Sequence, residues 1–375
     1  MHLVTMGGVT ASSLPAASAG GATLIWTVNG GGSGYKLGAT YLASNSTQVG
    51  ASAMGGGGYR AYVFDISDGS VEFQPSTVYA DGGNGSLFYA KTGDMSELWS
   101  ALLGQSQDNV FLIDNSDGSL EQTFSSPVSA SGQFGAYNGI GVSDSYTAIG
   151  NANLRKMYLY NNSTGSLIST ISTPTGAAHE VRTTDTHALY SSGLDGPVTI
   201  YDPSNGNSRY TISNPQFDSS SAWDYFGRYL DVCDDYILLS AHLEDNPSES
   251  ATNVGVAYLF NTSDGSLAQT FVNPINFDTE FGMTLAVSDT YTAIGSYNED
   301  PAGGSINGYG VVRVYNNSDG SLYAKIDSPV AAGGQFGAQI ALSNTATNSH
   351  ITIGARYQGV GSQTSNGGVY TYTLG

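Results

Sequence analysis

The phrase AYLFNTSDGSL at residues 257–267 recurs as VRVYNNSDGSL at 312–322 and as VFLIDNSDGSL at 110–120. Each copy predicts a strand, a polar turn that glycine closes, and the start of a second strand. The turn glycines lie 41 to 59 residues apart, which is the spacing of a structural repeat. The more varied copies are YVFDISDGSV at 62–71, MYLYNNSTGSL at 157–167, VTIYDPSNGNS at 198–208 and GVYTYTLG at 368–375.

A second phrase alternates with the first and also predicts two strands. It reads EFGMTLAVSDTYTAIG at 280–295, where Asp289 stands seven positions after Gly282 and makes the turn between the strands. One stretch, MSELWSALL at 95–103, has helical spacing although a strand pair is expected there. The other copies are at 133–150, 225–241 and 335–354, with weaker ones at 35–50, 87–104 and 179–193.

Together the two phrases supply four short strands to each of seven units. Four-stranded antiparallel units of about fifty residues are typical of β-propeller blades, which bury their faces by stacking on their neighbours. The alternative is a β-solenoid, but its coils are shorter and more uniform. The last unit stops at Leu374 after its third strand, and residues 23–28 form an unassigned strand. We therefore predict an all-β, seven-bladed propeller over 23–375, closed by that N-terminal strand, with residues 1–22 as an extension or docking arm.

The second phrase resembles the FG-GAP repeat, a family of seven-bladed propellers that includes the head of integrin α subunits. In this family many repeats carry a DxDxDG calcium loop, but here a short turn stands in its place, so family-type calcium sites are not expected. The whole pattern is also similar to propellers of marine bacteria and their tailed phages. The motifs that carry the resemblance are Phe134-Gly135, Phe226-Gly227, Phe281-Gly282, Phe336-Gly337, Ile149-Gly150, Ile294-Gly295 and Ile353-Gly354. We interpret the four phenylalanines as wedges between blades.

Composition excludes several classes of protein. Asp and Glu outnumber Lys and Arg by 31 to 11, so the net charge of -20 opposes binding to nucleic acid and to anionic membranes. No apolar run is long enough to span a bilayer. Cys233 has no partner for a disulfide within the chain, and it follows apolar residues that predict a buried, inert thiol.

The longest predicted loops between second and third strands are 242–254, 296–309 and 355–367, on one face of the ring. Loops of this length commonly bind something, so we expect ligand or partner contacts there, with Tyr297, Tyr309 and Tyr357 as interaction residues. Calcium is a weak candidate ligand because carboxylates cluster in these loops. The alternative is that they are simply solvated. The candidates are Glu244, Asp245, Glu299 and Asp300.

No catalytic motif is visible, and we predict a non-enzymatic protein without a cofactor. The histidines lie in different repeats and have no paired ligand spacing; they are His2, His179, His187, His242 and His350. His179 is expected to have a turn or core role.

The function we favour is a virion structural or appendage protein, either a capsid decoration or a tail or fibre component. Residues 1–22 lack the basic region of a signal peptide, which favours release within a virion, and they are expected to contact other virion proteins. Host-surface glycans are a further expected partner. The first alternative is an extracellular or cell-surface bacterial adhesin that binds glycans or proteins. The second is a glycan-active propeller enzyme, which requires paired carboxylates in an axial or top-face pocket.

Overall fold

A computed structural model describes the chain except for several loops and most of the N-terminal segment. The described residues are 5–6, 9–12, 18–19, 21–29, 36–55, 58–74, 93–104, 108–128, 134–136, 139–173, 180–191, 195–216, 224–245, 253–275, 278–300, 308–329, 333–344, 348–357 and 367–375. They contain 31 strands and no helix. Among them, accordingly, there is no helix that is long and apolar enough to cross a membrane.

The strands form seven antiparallel sheets, which are the blades of a seven-bladed β-propeller. In blades 1 to 6 the four strands follow the chain from the innermost to the outermost position. Blade 1 contains β5 (Lys36–Ser44), β6 (Gln48–Gly55), β7 (Gly58–Asp65) and β8 (Val71–Phe73). Blade 2 contains β9 (Gly93–Met95), β10 (Trp99–Leu103), β11 (Asn109–Asp114) and β12 (Leu120–Ser125). Blade 3 contains β13 (Ile140–Val142), β14 (Tyr146–Asn151), β15 (Lys156–Asn161) and β16 (Leu167–Ser172).

The second half of the ring repeats this arrangement. Blade 4 contains β17 (Glu180–Thr183), β18 (Ala188–Ser191), β19 (Val198–Tyr201) and β20 (Ser208–Ile212). Blade 5 contains β21 (Leu230–Val232), β22 (Tyr236–Ala241), β23 (Val256–Asn261) and β24 (Leu267–Val272). Blade 6 contains β25 (Thr284–Val287), β26 (Tyr291–Ser296), β27 (Val311–Asn316) and β28 (Leu322–Asp327). Blade 7 contains β29 (Phe336–Asn344), β30 (Ser349–Ala355), β31 (Gly368–Leu374) and, from the start of the chain, β4 (Ala22–Asn29).

The predicted closure of the ring is confirmed. β4 pairs antiparallel with β31, with Val28 opposite Val369, and so completes the seventh blade. The indole nitrogen of Trp26 in β4 also donates a hydrogen bond of 2.6 Å to the carbonyl of Ile66 in blade 1. The segment 95–103, despite its helical spacing, forms the end of β9 and all of β10, paired with Ser100 opposite Met95.

The described parts of the N-terminal segment widen blade 7 beyond four strands. β2 (Val9–Ser12) and β3 (Ser18–Ala19) both pair with β4, and β1 (Thr5–Met6) pairs with β2. The outer side of β4 is therefore covered by the chain's own first residues. β4 runs from Ala22 to Asn29, one residue beyond the predicted strand 23–28 at each end.

The FG phenylalanines lie fully buried between neighbouring blades. Phe281, for example, packs among Leu238 and Phe271 of blade 5 and Val287 and Ile294 of blade 6. Stacking of apolar blade faces is what holds the ring together. The same 0% exposure is found for Phe134, Phe226, Phe281 and Phe336.

Two kinds of turn share one face of the ring, which we call the turn face. Asn317, between β27 and β28, donates from Nδ2 to the carbonyl of Ser288, between β25 and β26, over 2.7 Å. Its Oδ1 accepts a 2.8 Å hydrogen bond from the hydroxyl of Thr292. Asn115 and Asn162 make the same bonds in blades 2 and 3. The opposite face, where second and third strands are connected, is the loop face.

Candidate functional site

The innermost strands surround an axial channel that has two consecutive cavities. Each inner strand starts near the loop face and ends at the turn face. Seven of the described residues line both cavities: Ser44 of blade 1 and six side chains from equivalent positions in blades 2 to 7. We call the six residues of blades 2 to 7 the collar: Met95, Val142, Thr183, Val232, Val287 and Leu342.

The larger cavity, on the loop-face side of the collar, has a volume of about 490 Å³ and we call it the axial cavity. Its wall carries Asp94 from blade 2, Glu180 and Arg182 from blade 4, and Asp231 from blade 5. The Nε atom of Arg182 lies 3.7 Å from Oδ1 of Asp231, and the two side chains keep 20% and 25% exposure. The topology thus brings three carboxylates and a guanidinium together in a space that solvent still reaches.

Each of these carboxylates is held by the backbone of the following blade. Oδ2 of Asp94 accepts a 3.0 Å hydrogen bond from the amide of Val142. Oε2 of Glu180 accepts one of 2.6 Å from the amide of Leu230. Oδ2 of Asp231 accepts one of 2.8 Å from the amide of Val287. The acidic groups therefore have fixed positions, because rigid inner strands orient them.

Side chains in the wall of the axial cavity have pKa values that differ from those of the same groups in water. Burial raises the pKa of Asp94, against the opposing charge of Arg182. Burial also raises the pKa of Asp231 to about 7, again despite Arg182. Burial lowers the pKa of Arg182, but the surrounding carboxylates, that of Glu180 first, raise it more, so the guanidinium stays charged. A cavity with such perturbed groups is a candidate functional site.

Glu244 lies at the base of the long loop of blade 5. Its side chain is 4% exposed, and it accepts hydrogen bonds from the Tyr258 hydroxyl and from Nδ2 of Asn214, the latter over 3.3 Å. Burial raises its pKa to about 7, although the bond from Tyr258 lowers it. Its backbone carbonyl accepts a 3.0 Å hydrogen bond from the amide of Gly255, which closes the loop at its neck.

Glu299 has the equivalent position in blade 6. It is 1% exposed and forms a bidentate ion pair with Arg313 of β27, with distances of 2.6 and 2.7 Å. Its carbonyl accepts a 2.9 Å hydrogen bond from the amide of Gly310, which closes this loop in the same way. The interpretation of Glu244 and Glu299 as solvated loop carboxylates is thus wrong, because both anchor their loops from within the protein.

The raised pKa values of Asp231 and Glu244 predict that the protein is more stable at pH 6.5 than at pH 8. Both folded-state values are about 7, whereas unfolded carboxyls titrate near 4, so the folded state binds extra protons in this range. Their stabilisation is complete below about pH 4 and is lost as the pH rises through 7. Burial lowers the pKa values of His187, His242 and His350, that of His242 to about 4, so their opposite effect falls mainly below pH 6.5.

We expect Asp231 and Glu244 together to lower the free energy of unfolding by about 1–2 kcal/mol between these two pH values. Urea denaturation at both pH values measures this fall. The double variant Asp231→Asn and Glu244→Gln should lose most of the difference, since its side chains do not titrate. The explanation fails if the double variant retains the full pH dependence of the wild type.

The remaining predicted site residues do not gather into a cation site. Asp245 accepts a 2.8 Å hydrogen bond from the amide of Asn253, and Asp300 is half-buried next to the buried Glu299. In the part of the chain that the structure describes, no group of three or more His, Cys, Asp or Glu side chains is placed to hold a metal ion. Most of the long-loop residues, 246–252, 301–307 and 358–366, lie outside the described residues.

The predicted interaction tyrosines have different surroundings. Tyr297 lines the axial cavity, and its hydroxyl lies 3.2 Å from the Met283 sulfur. Tyr309 is half-buried, and its carbonyl accepts a 3.1 Å hydrogen bond from the amide of Phe336. Tyr357 is 37% exposed on the loop face.

The smaller cavity, of about 350 Å³, opens on the turn face and is lined by acidic residues. Three of them bind the turn of the preceding blade: Glu97 accepts from the amide of Ser46, Asp144 from that of Leu98, and Asp185 from that of Ser145. Burial and the neighbouring carboxylates, that of Asp289 first, raise the pKa of Asp234. The turn-face opening of the smaller cavity therefore carries several acidic side chains, and three of them link successive blades.

The described histidines lie in three separate blades, and His2 and His179 lie outside the described residues. The ring of His242 packs against Tyr225 and Tyr229, with ring centroids 5.4 and 5.3 Å apart. Cys233 is half-buried, and burial raises the pKa of its thiol, which keeps it protonated and unreactive.

No protein-family model matches the chain, and no curated protein matches it. Among solved structures, the crystal structure of the computationally designed Ika8 protein is similar, with a TM-score of 0.54 and 13% sequence identity. The match covers 99% of this chain and 95% of that one. At this identity the similarity shows the fold alone.

The charged groups of the axial cavity were missed by sequence reasoning. No motif joins them, because they lie on inner strands of different blades. One signal was present: only 11% of residues are charged, yet Asp231 stands between Leu230 and Val232 in a strand. A charge at such a position is expensive unless it has a partner or a function.

Proposed function

We propose that this chain is a non-enzymatic virion structural or appendage protein, a capsid decoration or a tail or fibre component, built from FG-GAP-type repeats similar to those of tailed phages. It acts by assembly or by recognition of a host surface. The observation that supports recognition best is the construction of the loop face. In blades 5 and 6 the long loop between the second and third strands has a fixed base, which we call its neck. A buried glutamate, Glu244 or Glu299, and a backbone hydrogen bond hold each neck in place.

Clamped necks favour binding because a loop with an ordered base loses less conformational entropy when it meets a partner. Glu244 and Glu299 each bond to the third strand of their blade, so the necks of the two loops have fixed positions on neighbouring blades. Polar residues dominate both loops, and that of blade 6 also contains Tyr297 and Tyr309; such residues are common in protein surfaces that bind varied ligands.

Residues 1–22 are the proposed contact with other virion proteins. β1 lies outside β2 at the edge of the widened blade 7. A strand at a sheet edge has backbone groups that can pair with a strand of another chain.

The alternative function is an extracellular or cell-surface bacterial adhesin that binds glycans or proteins through the same loop face. The axial cavity, which opens beside these loops, favours glycan binding in either setting. The two functions differ in location rather than in binding chemistry.

Location therefore tests the proposal. Virions purified from the source on a density gradient are expected to contain this chain by mass spectrometry, at a constant ratio to a major capsid or tail protein. A chain that is absent from virions but present in the cell-surface fraction would overturn the virion function in favour of the adhesin.

A further inference from the structure

We infer that the axial cavity is a saccharide-binding site, which takes the neutral, hydroxyl-rich end of a surface glycan. The inference deepens the proposed function and rests on its recognition role. Four observations carry it: the direction in which the cavity opens, the mixture of charges in its wall, the aromatic side chains at its entrance, and the narrowing of its far end.

The cavity opens toward the loop face. Tyr229 and Met283 stand just before inner strands, whereas Tyr297 and Arg356 stand just after second strands, and all four line the cavity. These positions are at the loop-face ends of the strands. A ligand that is bound here therefore enters on the face that carries the clamped loops.

The charges of the wall favour a neutral ligand with many hydroxyl groups. Asp94, Glu180 and Asp231 share the wall with Arg182 and Arg356, so an anionic or a cationic group meets like charges next to opposite ones and neither sign of charge is clearly favoured. A hydroxyl group can donate to a carboxylate and accept from a guanidinium at the same time. Arg182 and Asp231 form an ion pair at 3.7 Å in this wall, with 20% and 25% exposure, so one hydroxyl group next to them meets both a donor and an acceptor.

The entrance offers aromatic surface next to these polar groups. Tyr297 and Tyr229 line the cavity near the loop face, and Gln339 of blade 7 adds an amide with both donors and acceptors. Small-ligand sites combine apolar and aromatic walls with a few fixed polar groups in this way. Sugars suit such a site because their rings have apolar faces and hydroxyl edges.

The far end is narrowed by the collar, of which five members are apolar and the sixth is Thr183. The volume of about 490 Å³ lies within the range of about 300–1,000 Å³ that small-ligand sites have. The cavity therefore fits the terminal part of a glycan rather than the middle of a chain, and the rest of the glycan would extend over the loop face.

The test is titration calorimetry on the full chain with a panel of neutral oligosaccharides: cellobiose, maltotriose, mannotriose and lactose. N-acetylneuraminic acid and glucosamine serve as the anionic and cationic comparison ligands. We expect at least one neutral sugar to bind with a Kd below about 10 mM and both charged sugars to bind more weakly. The inference is overturned if no neutral sugar reaches saturation, or if a charged sugar binds best.

Two cavity variants and one matched control locate the binding. Asp231→Asn keeps an oxygen for the Val287 amide, and Gln339→Leu removes the amide from blade 7, so both variants are expected to fold. Each should weaken binding by about tenfold. Leu267→Ala, in the outer strand of blade 5 and 46% exposed, is the matched control and should change binding by less than about twofold. Binding that Tyr357→Ala reduces while both cavity variants leave it unchanged would place the sugar on the loops and overturn the cavity site.

The calorimetry samples also separate this inference from the proposed function. Chromatography of the sugars after incubation is expected to show no products. Cleavage would support a saccharide site but overturn the non-enzymatic function. Conversely, a chain that is found in virions but binds no sugar would retain the virion function and lose the axial site.

Discussion

Arg313→Met is expected to destabilise the protein by about 3–5 kcal/mol, because it leaves the Glu299 carboxylate buried without its counter-charge. Both side chains are almost completely buried, with 4% and 1% exposure, and two hydrogen bonds of 2.6 and 2.7 Å join them. Urea denaturation followed by circular dichroism measures the change. The loop of blade 6 should loosen as well, since Glu299 closes its neck through the amide of Gly310.

A matched control comes from the exposed ion pair of the same blade. Lys325 and Asp327 are 2.6 Å apart but 33% and 48% exposed, so Lys325→Met should cost less than about 1 kcal/mol. The double variant Arg313→Met and Glu299→Gln should recover part of the loss, because the uncompensated charge is then gone. Equal effects of Arg313→Met and Lys325→Met would contradict the role of burial in this pair.

Phe281→Ala is expected to cost roughly 3–5 kcal/mol by opening a cavity between blades 5 and 6. The ring has 0% exposure and packs among residues of both blades. Thermal unfolding of the variant should therefore begin at a clearly lower temperature than that of the wild type.

The control for Phe281→Ala is Leu322→Ala, in the outer strand of blade 6. This leucine is 54% exposed, so its truncation should change the stability by no more than about 0.5 kcal/mol. A melting temperature that Phe281→Ala leaves unchanged would show that the phenylalanine does not wedge the two blades together.

The fold could be predicted because its information is local and repeated. Each strand pair has its own alternation of apolar and polar residues and its own Asx or glycine turn, so the seven imperfect copies can be recognised in the sequence. Residues 95–103 have helical spacing, but their place in the repeat predicts a strand pair. In the structure they form strands. The closure of the ring could also be predicted, because the last unit lacks a fourth strand and residues 23–28 form a strand that belongs to no other unit.

The axial cavity could not be predicted in this way. Asp94, Arg182 and Asp231 meet only because blades 2, 4 and 5 face a common axis, and no short-range pattern records that geometry. The loop anchors were predictable in principle: Glu244 pairs with Tyr258 and Glu299 with Arg313, each across 14 residues. Acidic residues in a loop are usually expected to be exposed to solvent. Glu244 and Glu299 can be buried because each bonds to a residue of the third strand of its blade.

The pairing of β4 with β31 also determines when the ring can be completed. Val28 pairs with Val369, so β4 can pair only after β31, which lies far along the chain, has been synthesised. Contacts between such distant residues form slowly, because loop-closure entropy is lost before any packing energy is gained. During that delay Leu24 and Trp26, which are 4% and 2% exposed in the folded ring, remain in contact with water. We therefore expect slow refolding, with aggregation through the unpaired β4, because the ring is complete only when β4 and β31 pair.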